Sequence, residues 1–312
     1  MIPTAPPAPE AGAAQAGGSR LQRWWAGARA SAWGRGGLFL AFAGVLSVVT
    51  FRVFALLGWT APEAPAGLRV GATLARQIIP TLGAFLLLAW WVERRRATEL
   101  SLRHLVPGIA AGVLGGVLLI GAVFGTLWLA GAYQVQGWGS GEGWWRMLLI
   151  VGVGAGISEE IIFRGVLYRL IAESKGDAWA LGVSALLFGG VHLGNPNASL
   201  WTSFAIAVEA GILLGAVYAL TRSLWPCIGL HMAWNFLEGK VFGSPVSGNA
   251  VKDPFLQVSF DGPAWLTGGA FGVEGSVVTV ALSLLASATL LLAARRRRAP
   301  SPDRPPSGDT PC

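Results

Sequence analysis

In the run GISEEIIFRGVLYRL, Gly156 to Leu170, two adjacent glutamates and an arginine interrupt a stretch otherwise apolar enough for a membrane interior. Glu160 and Arg164 are four residues apart, hence neighbours on one helical face, with the glutamate on the N-terminal side that favours pairing. Glu159 points roughly 100° away from Glu160 at 3.6 residues per turn, so one arginine does not readily satisfy both. The spacing divides the carboxylates into one that braces and one left free to act, although a buried Glu–Arg pair alone also fits plain helix–helix glue.

Two further pairs repeat the spacing of four. Phe188 and His192 put an aromatic ring one turn from an imidazole, and His231 and Asn235 project together from another helix. Either histidine alone fits an interhelical hydrogen bonder. Together with an unpaired glutamate and an asparagine they form a set suited to water activation and oxyanion binding. Glu159 deprotonates a water held with the help of His192, and His231 with Asn235 donates to the oxygen that turns negative. No nucleophilic serine or cysteine is needed, and Cys227 has no evident basic partner. Glu159, His192 and His231 also make a plausible three-ligand zinc set with an open water position, Glu160 or Asn235 assisting from behind, although no H-E-x-x-H motif is present. Glu209 and Glu238 are the other acids in these helices. Glu209 lines the cavity or, the safer expectation, makes an interhelical hydrogen bond.

These residues need an apolar framework to hold them. The chain is 53% hydrophobic and 12% charged, too apolar for a water-soluble domain. Long uncharged runs begin at Gly37, Ile78, Ile109 and Ser276, each fitting a helix across a ~30 Å hydrocarbon layer. Less uniform stretches near 145–170, 178–194, 202–221 and 225–240 become spans when read as helices facing one another. The expected fold is therefore all-α, a polytopic integral membrane protein of about eight transmembrane helices around a polar cavity. Its transmembrane domain covers 37–294, between a disordered cytoplasmic tail at 1–36 and a basic, Pro-rich disordered tail at 295–312. The first helix is expected to be a retained anchor rather than a cleaved signal, and Cys312 in last place leaves no C-a-a-X signal.

Arginines precede the first span (Arg20, Arg23, Arg29, Arg35), follow the second (Arg94, Arg95, Arg96, Arg103) and follow the last (Arg295 to Arg298). An even number of spans puts all three groups on one side, which the positive-inside rule makes cytoplasmic, both termini included. The net charge of +7 is thereby assigned to topology and anionic headgroups rather than to nucleic acid. Arg52 and Arg76 lie near span ends and snorkel. The Gly-, Ala- and Arg-rich, Lys-poor composition suits a bacterial plasma-membrane protein.

At the polar residues the chain resembles the CPBP family, the type II CAAX prenyl endopeptidases and bacterial Abi-type membrane proteins. EEIIFR (Glu159 to Arg164) matches E-E-x-x-x-R, FGGVH (Phe188 to His192) matches F-x-x-x-H, and HMAWN (His231 to Asn235) matches H-x-x-x-N. The resemblance covers about residues 145–240. It implies an intramembrane endopeptidase in which Glu159 activates water with His192, His231 and Asn235 form the oxyanion site, and Glu160 with Arg164 braces it. The family is often labelled metalloprotease and a glutamate-dependent mechanism is also argued, so the metal stays open. The partner implied is a membrane-anchored protein or peptide, prenylated in eukaryotic members. A non-catalytic partner-binding or bacteriocin-immunity protein on the same fold is the alternative. A proton-coupled transporter with Glu159, Glu160 and Glu209 as relay lacks the paired broken helices of inverted repeats.

Overall fold

The computed structural model describes residues 26–298. Its main helices are α1 (Ala32–Leu56), α2 (Ala66–Leu87, continuing to Val92), α3 (Leu105–Leu129), α4 (residues 144–175), α5 (Asp177–Val191), α6 (residues 200–221), α7 (residues 224–241) and α8 (Val277–Arg298). Among the described residues, six are long and apolar enough to cross a membrane: α1, α2, α3, α5, α6 and α8. The expectation of about eight spans is thus met for six by length and composition. The other two, α4 and α7, are the helices interrupted by Glu159, Glu160, Arg164, His231 and Glu238. The chain is an integral membrane protein, and Leu40, Val45, Val48 and Val49 stand exposed along α1 as a lipid-facing surface requires.

The mostly helical architecture agrees with the all-α expectation, and one short strand pair accompanies the helices. Strands β1 (Tyr133–Trp138) and β2 (Leu256–Phe260) pair antiparallel, Tyr133 opposite Phe260 and Trp138 opposite Leu256. The pair joins the segment leaving α3 to the one approaching α8, and its edge residues Val135 and Trp138 are exposed. The tails are also shorter than expected. Residues 26–36 are helical except at Ser31, whose hydroxyl caps α1 by accepting from the Gly34 amide at 2.9 Å. Arg29 donates to the Val92 carbonyl and Arg35 to Glu93, so these residues are fastened to the end of α2. At the other end α8 runs on through Arg298. The remainder of both tails, 1–25 and 299–312, lies outside the described residues.

Ion pairs show which helix ends lie together. Glu93, after α2, meets Arg35 of α1, Arg95, and Arg169 of α4, while Arg35 and Arg169 also reach Glu173. Asp177 at the start of α5 meets Arg222 after α6 at 2.7 Å. Burial pushes the Glu93 carboxyl up, but Arg169 and Arg95 outweigh it and hold it below the ordinary value. Its contribution to stability is therefore present above the usual carboxylate range and lost as pH falls through that lowered value.

The tightest packing couples α3 to α7. Gly108, Gly112 and Gly116 form a small-residue stripe on α3, and a Cβ at Gly112 would stand 2.7 Å from the Leu230 backbone nitrogen. Without side chains there, the two backbones approach and van der Waals contact replaces the hydrophobic drive that lipid does not supply. Gly115, on another face, would meet nothing closer than the Leu230 Cδ1 at 3.9 Å. Gly112→Val is expected to lower thermal stability in detergent by about 1–3 kcal/mol or more, and Gly115→Val to leave it near the natural value. Equal effects at the two positions would contradict this packing.

Candidate active site

Several of the chemically distinctive side chains sit in or beside stretches where a helix departs from regular geometry, whereas His231 and Asn235 lie within the regular Leu224–Phe236 segment. In α4, wider π turns at Leu148–Gly154 and Ile161–Tyr168 flank the short α-helical piece Ala155–Glu160 that bears both glutamates. Similar turns occur at Ala207–Ile212 in α6 and Leu237–Val241 in α7. Such turns are frequent at functional sites because they shift side chains around the helix axis.

Glu160 and Arg164 are buried and paired at 2.9 Å. The same Glu160 oxygen, Oε1, lies 2.9 Å from His231 Nδ1. Arg164 also donates to the carbonyls of Ala210 at 2.7 Å and Gly211 at 3.2 Å, and its guanidinium stands 4.9 Å from the Phe188 ring centroid. One cation thus ties α4 to α6 and α5, and its partner carboxylate ties α4 to α7.

Glu159 has no hydrogen bond among the described residues and keeps 32% of its side chain exposed. It faces a cavity of about 980 Å³ that His192, His231 and Asn235 also line. His192 lies at the C-terminal end of α5, its ring 4.8 Å from that of Phe188. Its Nδ1 is 2.7 Å from the Phe188 carbonyl, which only accepts, so Nδ1 carries the proton and Nε2 is left with a free lone pair. His231 uses Nδ1 toward Glu160 and turns Nε2 toward Glu159 Oε2 at 4.0 Å. Asn235 donates one amide hydrogen to the Val151 carbonyl at 3.0 Å and keeps its second N–H. The structure thus brings Glu159, His192, His231 and Asn235 to one cavity, with Glu160, Arg164 and Phe188 behind them.

The zinc set of Glu159, His192 and His231 does not assemble. Among the described residues no group of three His, Cys, Asp or Glu side chains stands ready to hold a metal ion. Oxygen and nitrogen ligands at about 2.0–2.1 Å on a tetrahedral ion lie about 3.3 Å apart. The 4.0 Å between Glu159 Oε2 and His231 Nε2 exceeds that, and His231 Nδ1 is taken up by Glu160 at 2.9 Å. Cys227 is fully buried with its thiol toward the Leu214 and Ser223 carbonyls, away from the cavity. Arg76 stands 4.8 Å over the Phe51 ring and does not reach the site.

Glu209 makes no hydrogen bond among the described residues, contrary to the expected interhelical one. It lines a smaller cavity of about 20 Å³, room for about one water, together with His192, His231, Asn235 and Glu274. Glu238 is buried and accepts from Trp234 at 2.9 Å and Ser244 at 3.3 Å.

Sequence reasoning passed over a strap at residues 242–255 that covers the cavity. Ser247, at φ 47, gives its amide and hydroxyl to the Glu274 carboxylate at 2.5 and 3.1 Å, and its carbonyl accepts from Asn195 at 3.0 Å. Lys240, buried at the end of α7, donates to the carbonyls of Glu142 and Lys252 and so joins two parts of the cavity wall. The one signal in the sequence is a lone acid in the Gly-rich loop just ahead of the last span.

Burial pushes Glu274 up to about 7, against the pull of the Ser247 hydrogen bonds and of His231, with the Glu159 charge adding to the rise. Its ordinary value is 4.5, so between the two the folded state holds a proton that the unfolded chain has released. Its contribution to stability is full below the ordinary value and falls away as pH rises through about 7. The natural chain is expected to lose more thermal stability than Glu274→Gln as pH is raised across that interval, read as unfolding midpoints in detergent. Parallel curves would contradict this assignment.

No curated protein and no solved structure matches the chain. Residues 141–237 match the model of a family described as type II CAAX prenyl endopeptidase Rce1-like, a family of CAAX proteases. That stretch holds Glu159, His192, His231 and Asn235 and leaves out the strap and Glu274. The segment that carries all three motifs is therefore similar to the Rce1-like, CPBP-type membrane proteases.

Proposed function

We propose that the protein is an intramembrane endopeptidase that hydrolyses a peptide bond of a membrane-associated protein, in a bacterial plasma membrane with both termini cytoplasmic. Glu159 takes one proton from a water whose other hydrogen is held by the free Nε2 of His192. The water oxygen bonds to the peptide carbonyl carbon, and the carbonyl electron pair moves onto its oxygen. Protonated His231, steadied through Nδ1 by Glu160, and Asn235 through its second N–H donate to that oxyanion. As the tetrahedral centre collapses, the C–N bond breaks and Glu159 returns its proton to the leaving amine. The products are a new carboxyl terminus and a new amino terminus, and the step balances without a covalent enzyme intermediate or a metal.

The observation that supports this reading most is the different treatment of two adjacent carboxylates. Glu160 is held by an arginine and a histidine and excluded from solvent, while Glu159 stands without a hydrogen bond among the described residues in a cavity that His192, His231 and Asn235 also line. Ionisable groups in such surroundings are expensive unless used.

The test compares the termini of membrane proteins, by mass spectrometry, in cells carrying the natural chain and cells carrying Glu159→Gln at equal abundance. Peptide ends that disappear with the variant are expected and would name the substrates. Identical termini across growth conditions would turn the assignment to a partner-binding protein on the same fold.

A further inference from the structure

The cavity lies at one end of the helices: His192, which lines it, follows the C-terminal end of α5, whereas α5 begins at the Asp177–Arg222 ion pair. Beyond His192 the chain turns away through residues 195–199.

Charge says which side of the membrane that end faces. Past the end of α2 stand Arg94, Arg95, Arg96 and Arg103, and the last turn of α8 carries Arg295, Arg296 and Arg297. The ends of α2 and α4 are fastened together by Arg169 and Glu93, and α8 packs its Leu290 and Leu291 into the same apolar cluster as Leu88 of α2. At the opposite end, Arg146 and Lys252 at the cavity wall are matched by Glu142 and Asp253. The positive-inside rule places the arginine-rich end in the cytoplasm.

We propose that the catalytic cavity opens on the extracytoplasmic face and takes an apolar polypeptide segment of a membrane-anchored substrate displayed on that side. The cleavage part of this rests on the protease reading above; the orientation does not. Segment entry is beside the end of α5, where the cavity wall is apolar: Ile162, Phe163 and Val191, the last 61% exposed. The balanced charges at the mouth give no attraction for one sign, so selection falls on the apolar stretch and its backbone rather than on a charged headgroup. The new terminus nearer the mouth is released outside the cell.

The test is thiol accessibility of the full chain in intact cells of a bacterial host, in a Cys312→Ser background; Cys227 is fully buried. Asp253→Cys reports the mouth and Arg96→Cys the arginine-rich end, both positions being exposed. A membrane-impermeant maleimide is applied to cells whose cytosolic thiols stay unlabelled, then again after permeabilisation. Full labelling of Asp253→Cys before permeabilisation, with Arg96→Cys labelled only afterwards, is expected. The reverse order, or labelling of both or neither in intact cells, would overturn the proposal. Because labelling needs no catalysis, its failure is separable from that of the protease reading, which Glu159→Gln tests.

Discussion

The structure depends on burying the Glu160–Arg164 pair. Two charges removed from water inside a membrane protein are tolerable only if each finds enough partners, and removal of one partner typically costs about 3–5 kcal/mol. Arg164 meets Glu160, two α6 carbonyls and the Phe188 face, and Glu160 meets Arg164 and His231 through Oε1, while Arg164 Nε and Glu160 Oε2 are buried without a hydrogen-bond partner among the described residues. Four helices are thereby held in one relative arrangement by the electrostatic needs of two side chains. The Gly stripe that brings α3 against α7 sets the depth at which His231 meets Glu160.

Given that arrangement, the chemistry follows from what is left over. Glu160 uses Nδ1 of His231 and leaves Nε2 to the cavity, and the Phe188 carbonyl does the same for His192. A backbone acceptor thus sets the tautomer of His192, and a carboxylate fixes the ring orientation of His231, which is how a membrane interior with little water can present imidazole nitrogens in defined roles. The strap, fastened by Glu274 and Lys240, supplies part of the cavity wall from outside the motif helices.

Much of the site is legible in the sequence because helical spacing is a strict ruler. Residues four apart must share a face, so the Glu160–Arg164 pair, the Phe188–His192 ring contact and the separate direction of Glu159 all follow from residue positions alone. The outer helices are legible from uncharged length, whereas α4 and α7 are blurred by the very charges that make them interesting. The β1–β2 pair is not legible: its strands lie more than a hundred residues apart, with exposed edges and weak alternation. Nor is Glu274, because its contacts with Ser247 come from a loop whose φ of 47 no pattern announces. The same holds for a metal set: residue types suggest three ligands, whereas their mutual distances depend on contacts between helices, such as His231 with Glu160, that spacing along the chain does not reveal.

The most direct measurement pits the two neighbouring glutamates against each other in purified protein, following thermal unfolding in detergent and cleavage of a membrane-anchored reporter side by side. The account predicts that Glu159→Gln abolishes cleavage with an unfolding midpoint near the natural one, whereas Glu160→Gln lowers the midpoint by several degrees. Retained cleavage in Glu159→Gln, or an equal loss of stability in both variants, would contradict the division between a carboxylate that holds the helices and one that activates water.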